Sequence, residues 1–403
     1  MSLLLVALHA LLMCATLSVA LVTAYLLVLT LLAAVRAYAH TRTSSSGTWS
    51  EARHSFAILI PAHNEQLLIS RLLDNLQQLD YPRDKYAIHV VADNCDDHTA
   101  ERARAGGATT HERFDTQHKA KGFALRWLLQ QLRDSNARYD AYVVLDADSV
   151  VSTTFLRAMD RRLAAGATVI QAYYSVLNVG QSALASLRYA ALAALHYVRP
   201  LGRSVLNLSC GLKGNGMCFA SAVIDEFGWD WFTLAEDVEF HLALVSRGVR
   251  VDFAPEAIVR ADMPVTLAQA ASQNERWERG RLQLLRERVA GLLIQAIRRR
   301  SLMQLDAAIE QLIPPLSVPF VVGGACLVTA VLLQDIGIAA LSGLSVLGYL
   351  VHLLAGLILV RAPRGAFFAL AYAPVYVSWK VSLYVRALVT ARTTRWIRTV
   401  RAA

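Results

Sequence analysis

The sequence predicts an α/β domain with a mainly parallel sheet, joined at both ends to transmembrane α-helices. Three observations carry this expectation. Residues 2–35 and the once-interrupted stretch 313–360 are apolar runs that exceed the roughly 20 residues needed to cross a bilayer. Between 54 and 281, short apolar runs alternate with helical periodicities, the pattern of a parallel sheet covered by helices. Acidic residues then stand at the ends of two apolar runs, Asp93 after 87–92 and Asp146 after 142–145. Ligands of such sheets gather beyond the carboxyl ends of the strands.

Composition agrees with a chain partly in lipid. Of 403 residues, 55% are hydrophobic, and the mean hydropathy of +0.38 is high for a wholly soluble protein. The formal charge of +9 suggests nucleic acid as a partner, but the basic residues cluster beside apolar segments. There they mark a cytoplasmic face and meet anionic headgroups, so a nucleic-acid groove binder is excluded. Five cysteines, at 14, 95, 210, 218 and 326, are an odd number without a Cys-x-x-Cys pair. This argues against a disulfide framework or a zinc site and fits a reducing compartment. The histidines show no metal-ligand spacing and read as structural.

Residues 1–36 read as an N-terminal transmembrane anchor, one long helix without Pro, Gly or charge before Arg36. Residues 37–53, with the low-complexity stretch Thr41 to Gly47, read as a linker. The domain follows over 54–281: strand 56–60 ending in Pro61, helix 65–78 with Leu67, Leu68, Leu72 and Leu76 at helical spacing, strand 87–92, helices 97–105 and 120–133, and strand 142–145. Residues 282–310 read as amphipathic interface helices. In the C-terminal membrane region, 311–403, Gln334-Asp335 separates two spans, 313–333 and 337–360. A third span would place Arg392, Arg395, Arg398 and Arg401 outside, against the positive-inside tendency, so the remainder is expected to re-enter or lie at the interface.

Four short motifs bear chemistry. Asp146 and Asp148 stand two apart at a strand end, so both carboxylates point the same way and suit one hard divalent cation, Mg²⁺ or Mn²⁺, shared with a phosphate. A solvated loop is the ordinary alternative. Glu236 and Asp237 open the helix over 238–246, where a carboxylate either caps the helix or serves as a general base. Gln273, Arg276 and Trp277, at i, i+3 and i+4, share one helix face. An indole walls a sugar ring and a guanidinium grips a diphosphate; Trp and Arg at a headgroup interface are the alternative. Gly211, Gly214 and Gly216 suggest either close backbone approach to a ligand or a tight turn, and Lys119 and Lys121 either meet phosphate or are solvated.

Together and in this order, these residues resemble the membrane-integrated family 2 glycosyltransferases, the group of the cellulose, chitin and hyaluronan synthases. The resemblance covers residues 56–281. It implies a GT-A fold and a cytoplasmic catalytic domain at a bacterial inner (plasma) membrane. It also implies inverting transfer of a hexosyl or N-acetylhexosaminyl group from a UDP-sugar, and a Mg²⁺ or Mn²⁺ cofactor on Asp146 and Asp148. By the same resemblance, Pro61, Asn64, Glu65, Asp93, Lys121, Asp146, Gln273, Arg276 and Trp277 bind the nucleotide sugar. Asp237, with Glu236 beside it, takes the catalytic position, and Ala235 replaces the family's usual Thr. Trp396, Thr399 and Arg401 look like the family's gating loop, here at the C-terminus. The expected acceptor is a growing polysaccharide. A membrane-lipid acceptor is the first alternative, and an inactive nucleotide-sugar-binding subunit ranks last. The few spans leave product export to a homo-oligomer or a partner.

Overall fold

The protein is described by a computed structural model covering residues 3–43, 49 and 51–390; the tail residues Trp396, Thr399 and Arg401 lie outside the described residues. The chain opens with α1 (Leu3–Thr43), then β1 (Phe56–Ala62), α2 (Ile69–Gln77), β2 (Tyr86–Asp93), α3 (Thr99–Ala105), β3 (Thr109–Arg113), α4 (Lys121–Asp134) and β4 (Ala141–Val144). There follow β5 (Ser149–Val151), α5 (Phe155–Ala164), β6 (Val169–Val176), α6 (Ala183–Leu192), α7 (Arg199–Val205), β7 (Met217–Ala220), α8 (Ser221–Phe227), α9 (Glu236–Ser246) and β8 (Val251–Ala261). The chain continues with α10 (Leu267–Leu284), α11 (Ala290–Arg299), α12 (Leu302–Leu312), α13 (Ser317–Leu332), α14 (Ile336–Leu359), α15 (Arg364–Phe368) and α16 (Ala373–Thr390).

The eight strands form one mixed sheet in the order β3-β2-β1-β4-β7-β6-β8-β5. The β3-β2-β1-β4 half is parallel, as expected; β7 runs antiparallel to both β4 and β6. The central strand β1 is buried on both faces. Phe56, Ile58 and Ile60 pack with Ile69, Leu72 and Leu76 of α2, while Ala57 and Leu59 pack with Leu125 and Leu128 of α4. That is why β1 reads as a continuous apolar run rather than an alternating one. Pairing of β1 with β4 stops at Leu59↔Val144, whereas pairing with β2 continues to Ala62↔Ala92. The sheet therefore opens beside Pro61, which lacks an N–H to offer a further partner.

Helix α2 is shorter than its apolar spacing predicts. Asn64 adopts a left-handed φ of 56°, residues 65–68 turn on Glu65 O, and Leu67 is exposed. The anchor helix is longer: α1 continues through residues 37–43, which the sequence reading assigned to the linker. Ala33 and Ala37 pack against the domain's second core there, so tertiary contact extends the helix past its apolar run.

Three helical stretches among the described residues are long and apolar enough to cross a membrane: Val6–Ala39, Ile336–Leu359 and Arg364–Arg386. The C-terminal region differs in detail from the spans read off the sequence. Helix α13, read as a span over 313–333, has 16 residues, about 24 Å at 1.5 Å per residue against a hydrocarbon core of about 30 Å. It is bent by 68° from α12, and the pair makes a fourth candidate crossing if taken as one broken span. The stretch over 364–386, expected to re-enter or lie at the interface, has the length and hydropathy of a span. A buried ion cluster ties α1 to the domain. Arg203 of α7, fully buried, reaches Asp306 at 2.8 Å and Glu310 at 2.7 Å, and donates to Tyr25 Oη of α1 at 2.6 Å.

Candidate active site

The opening beside Pro61 leads into a cavity of about 820 Å³ floored by the carboxyl ends of β1, β2 and β4. Asp93 ends β2 and is held by Arg113, the last residue of the neighbouring β3, whose Nη1 donates to Asp93 Oδ1 at 2.6 Å. Arg113 Nη2 donates to Asp115 at 2.7 Å, so one guanidinium fixes both carboxylates. His63 Nδ1 lies 2.7 Å from the Asp93 carbonyl. The Asn64 side chain brackets Asp96, donating to its carboxylate and accepting from its amide. The Glu65 amide donates to Thr99 Oγ1 at 2.8 Å. These bonds make 61–65 and 93–99 one rigid wall.

Lys121 begins α4 on the next wall. A Cβ on Gly122 would stand 2.1 Å from the Trp231 carbonyl oxygen, so only glycine lets the segment before Glu236 approach this closely. Lys121 Nζ donates to Asp146 Oδ1 at 2.6 Å and to the Gly214 carbonyl. The Asp146 amide donates to Asn215 Oδ1 at 3.2 Å, and Asn215, fully buried, donates to Ser149 Oγ at 2.8 Å. Gly214 has a φ of +76°, and a Cβ there would meet Asp237 Oδ2 at 3.3 Å. One glycine thus separates the Lys121–Asp146 pair from Asp237.

Asp146 and Asp148 both line the cavity. Their hard carboxylate oxygens fit a divalent ion, and the Lys121 ammonium on Asp146 shows that this corner accepts positive charge. Among the described residues no group of three or more His, Cys, Asp or Glu side chains is placed to hold a metal. A cation here would therefore take its remaining ligands from a bound diphosphate and water, the usual habit of Mg²⁺.

Glu236 and Asp237 form the first turn of α9, behind an Ala235 with no side chain to cap the helix. Desolvation in the cavity raises the Asp237 carboxyl above the usual range. Glu236 is pushed up to about 7 by desolvation and by the like charge of Asp237. Burial alone would lower Lys121, but the fields of Asp146, Glu236 and Asp237 outweigh it and hold the ammonium charged. The next helix packs directly on this turn. A Cβ on Gly280 would touch Ala235 Cβ at 2.9 Å, so the small side chain standing where the resembled family has Thr fits against α10.

Helix α10 turns Gln273, Arg276 and Trp277 to the cavity. Arg188 of α6 donates to Gln273 Oε1 at 3.1 Å and sits 5.1 Å above the Trp277 ring. Arg276 makes no ion pair among the described residues and is available to an anion. All the residues read as nucleotide-sugar or catalytic candidates within 61–277, except Asn64, line this one cavity; Asn64 braces its wall.

The sequence reading missed several lining residues. His196 sits in a π-helical turn over Ala193–Val198, 3.1 Å from the Tyr174 carbonyl. Lys213 and Arg281 add positive charge, and Phe232 stacks on Phe123 with ring centroids 4.0 Å apart. The aromatic just before Glu236-Asp237 was a legible signal for Phe232. His196 had none, because its segment reaches the cavity only through the β6–β7 connection.

Residues 53–280 match the family model described as glycosyltransferase like family 2. Among curated relatives, the probable glycosyltransferase YdaM of Bacillus subtilis is 28% identical over 240 residues, covering 56% of this chain and 54% of the relative. Glucomannan 4-beta-mannosyltransferase 7 of Arabidopsis thaliana is 24% identical over 255 residues, covering 59% and 44%. Beta-monoglucosyldiacylglycerol synthase of Synechocystis is 24% identical over 230 residues, covering 55% and 47%. The chain spans about half the length of these relatives. The solved structure of the mannosyltransferase PcManGT from Pyrobaculum calidifontis, in complex with GDP-Man and Mn²⁺, superposes over 92% of this chain and 98% of its own with a TM-score of 0.54 at 18% identity, a likeness of fold. The fold is GT-A, and with more than half of its length matched to the family model this chain belongs to glycosyltransferase family 2.

Proposed function

We propose that the protein transfers a sugar, with inversion, from a nucleotide sugar to a growing polysaccharide at the cytoplasmic face of a bacterial inner (plasma) membrane. The observation that carries this reading is the strip at Gly214, which sets the Lys121–Asp146 pair against Asp237 in a single cavity. In-line displacement needs this separation, with leaving-group stabilisation on one side and the acceptor's base on the other.

Asp93 and the 61–65 wall receive the nucleoside. Asp146 and Asp148 would hold Mg²⁺ or Mn²⁺, which when bound offsets the charge of the departing diphosphate. Lys121 and Arg276 add fixed positive charge at the same place. Asp237 takes the proton of the acceptor hydroxyl, and its raised affinity for protons suits it to that task. Trp277, braced by Arg188, walls the acceptor sugar. The resemblance points to UDP, and the mannosyltransferase relatives add GDP-mannose as a donor to test.

A second reading, transfer of one sugar to a membrane lipid, is favoured by the packing of α10 on α16, part of the apolar stretch 364–386, and by the glycolipid synthase relative. Arg36, Arg361 and Arg364 beside apolar helices support a cytoplasmic catalytic domain. Full-length protein in lipid nanodiscs, supplied in turn with labelled UDP-glucose, UDP-N-acetylglucosamine, UDP-galactose, UDP-glucuronate and GDP-mannose with either metal, tests these readings. High-molecular-weight product is expected, and an extractable glycolipid would establish the second reading. Nucleotide binding without transfer from any donor would overturn both and leave an inactive subunit.

A further inference from the structure

Helix α16 carries one charge into the middle of an apolar stretch. Lys380 is 8% exposed, and its ammonium donates to Asn274 Oδ1 at 2.6 Å and pairs with Glu278 Oε1 at 2.8 Å. Both partners belong to α10 and are themselves buried, Asn274 at 0% and Glu278 at 6% exposure. Asn274 Nδ2 donates to the Ala270 carbonyl at 2.7 Å, which orients its oxygen toward the lysine. Glu278 Oε2 is buried without a hydrogen-bond partner, and Lys380 is the cation paired with this carboxylate, with the Arg281 charge also felt from one turn further along α10.

Position along the helix makes this contact consequential. Asn274 and Glu278 are four residues apart and share a face, as do Gln273 and Trp277, and the two faces differ by about 100° of rotation. Seating 274 and 278 on α16 therefore sets the direction in which 273 and 277 point. Arg188 holds the cavity face from the opposite side. Simple packing does not account for the lysine. An ammonium in an apolar span costs free energy, and a methionine of similar length would seal α16 on α10 without it.

We infer that Lys380 is a positioning residue: by gripping Asn274 and Glu278 it sets the rotation of α10 that turns Gln273, Arg276 and Trp277 into the cavity. The inference rests on the transferase reading of that cavity. It also ties the membrane stretch 364–386 to the active site, so that tilting this stretch changes how donor and acceptor are held.

The test compares wild type, Lys380→Met and the double variant Lys380→Met/Glu278→Gln, each full length in nanodiscs. Three quantities are read: the thermal midpoint, turnover of GDP-mannose or UDP-glucose with Mn²⁺, and amide exchange over residues 267–284. In Lys380→Met, turnover is expected to fall at least tenfold and the midpoint to drop, because Glu278 loses its paired cation. In the double variant the midpoint recovers, but turnover stays down and exchange in α10 stays fast. Recovery of turnover together with the midpoint would reduce the lysine to a charge partner and overturn the inference, as would wild-type turnover in Lys380→Met. If wild type turns over neither of these nor UDP-N-acetylglucosamine, UDP-galactose or UDP-glucuronate, the transferase reading fails on its own ground and exchange decides. Faster exchange in both variants then supports positioning, and unchanged exchange overturns it.

Discussion

Replacing Asp237 by Asn exchanges one carboxylate oxygen for an amide and removes one negative charge from the cavity while keeping the side chain's shape. As the acceptor's base, Asp237 supplies a term of about 10²–10⁴ in rate, or about 3–5 kcal/mol of barrier at 1.36 kcal/mol per decade. Nucleotide binding should be nearly untouched. Gly214 stands between Asp237 and the Lys121–Asp146 pair, and Lys121 keeps Asp146 and Glu236 as neighbours. Loss of one partly screened charge is worth about 0.5 kcal/mol, so affinity for nucleoside diphosphate and Mn²⁺ stays within about threefold. The assay pairs single-turnover transfer of labelled sugar with calorimetric nucleotide binding. Parallel collapse of both would refute the assigned role, because it would place Asp237 in the fold of the cavity and not in the chemistry. Residual transfer above a tenth of wild type would refute it equally.

The remaining predictions concern the same wall and its support. Since a base acts deprotonated, and Asp237 and Glu236 are both raised, the latter to about 7, kcat/KM should climb with pH from above the ordinary carboxylate range toward 7. Glu236→Gln removes the group held at about 7 and leaves the limb to Asp237, so the acid limb should move to lower pH; an unmoved limb would count against this assignment. Gly122→Ala places a methyl 2.1 Å from the Trp231 carbonyl, so the segment before Glu236 must retreat at a cost of about 2–3 kcal/mol, seen as lower thermal stability and slower transfer. Arg203→Met removes the guanidinium shared by two buried carboxylates, leaving Glu310 with Lys213 at 3.8 Å, and should cost about 3–5 kcal/mol in thermal or denaturant unfolding. Neutralising Asp306 and Glu310 as well should recover most of that loss.

Much of the site was legible because its chemistry sits where local rules act. Strand–helix alternation puts the carboxyl ends of β1, β2 and β4 on one edge, so Pro61, Asp93 and Asp146 had to converge once the sheet was parallel. Helical periodicity alone placed Gln273, Arg276 and Trp277 on one face, and Asp146 and Asp148 are near neighbours whatever the rest of the chain does. The long apolar helices were less legible. Hydropathy counts apolar residues but does not see a bend: the stretch read as one span over 313–333 contains a 16-residue α13 set at 68° to α12, a broken crossing if the pair is one span.

Tertiary structure alone brought in Arg113 against Asp93, Arg188 against Trp277, His196 from the β6–β7 connection, and Lys380 from α16. Each of the last three comes from a segment whose sequence reads as ordinary apolar helix with an occasional charge. Sequence periodicity records which side of an element faces apolar surroundings, but not which other element supplies them. For this protein the candidate reacting groups were therefore written in short local patterns, while the groups that brace and neutralise them were chosen by packing between elements far apart along the chain.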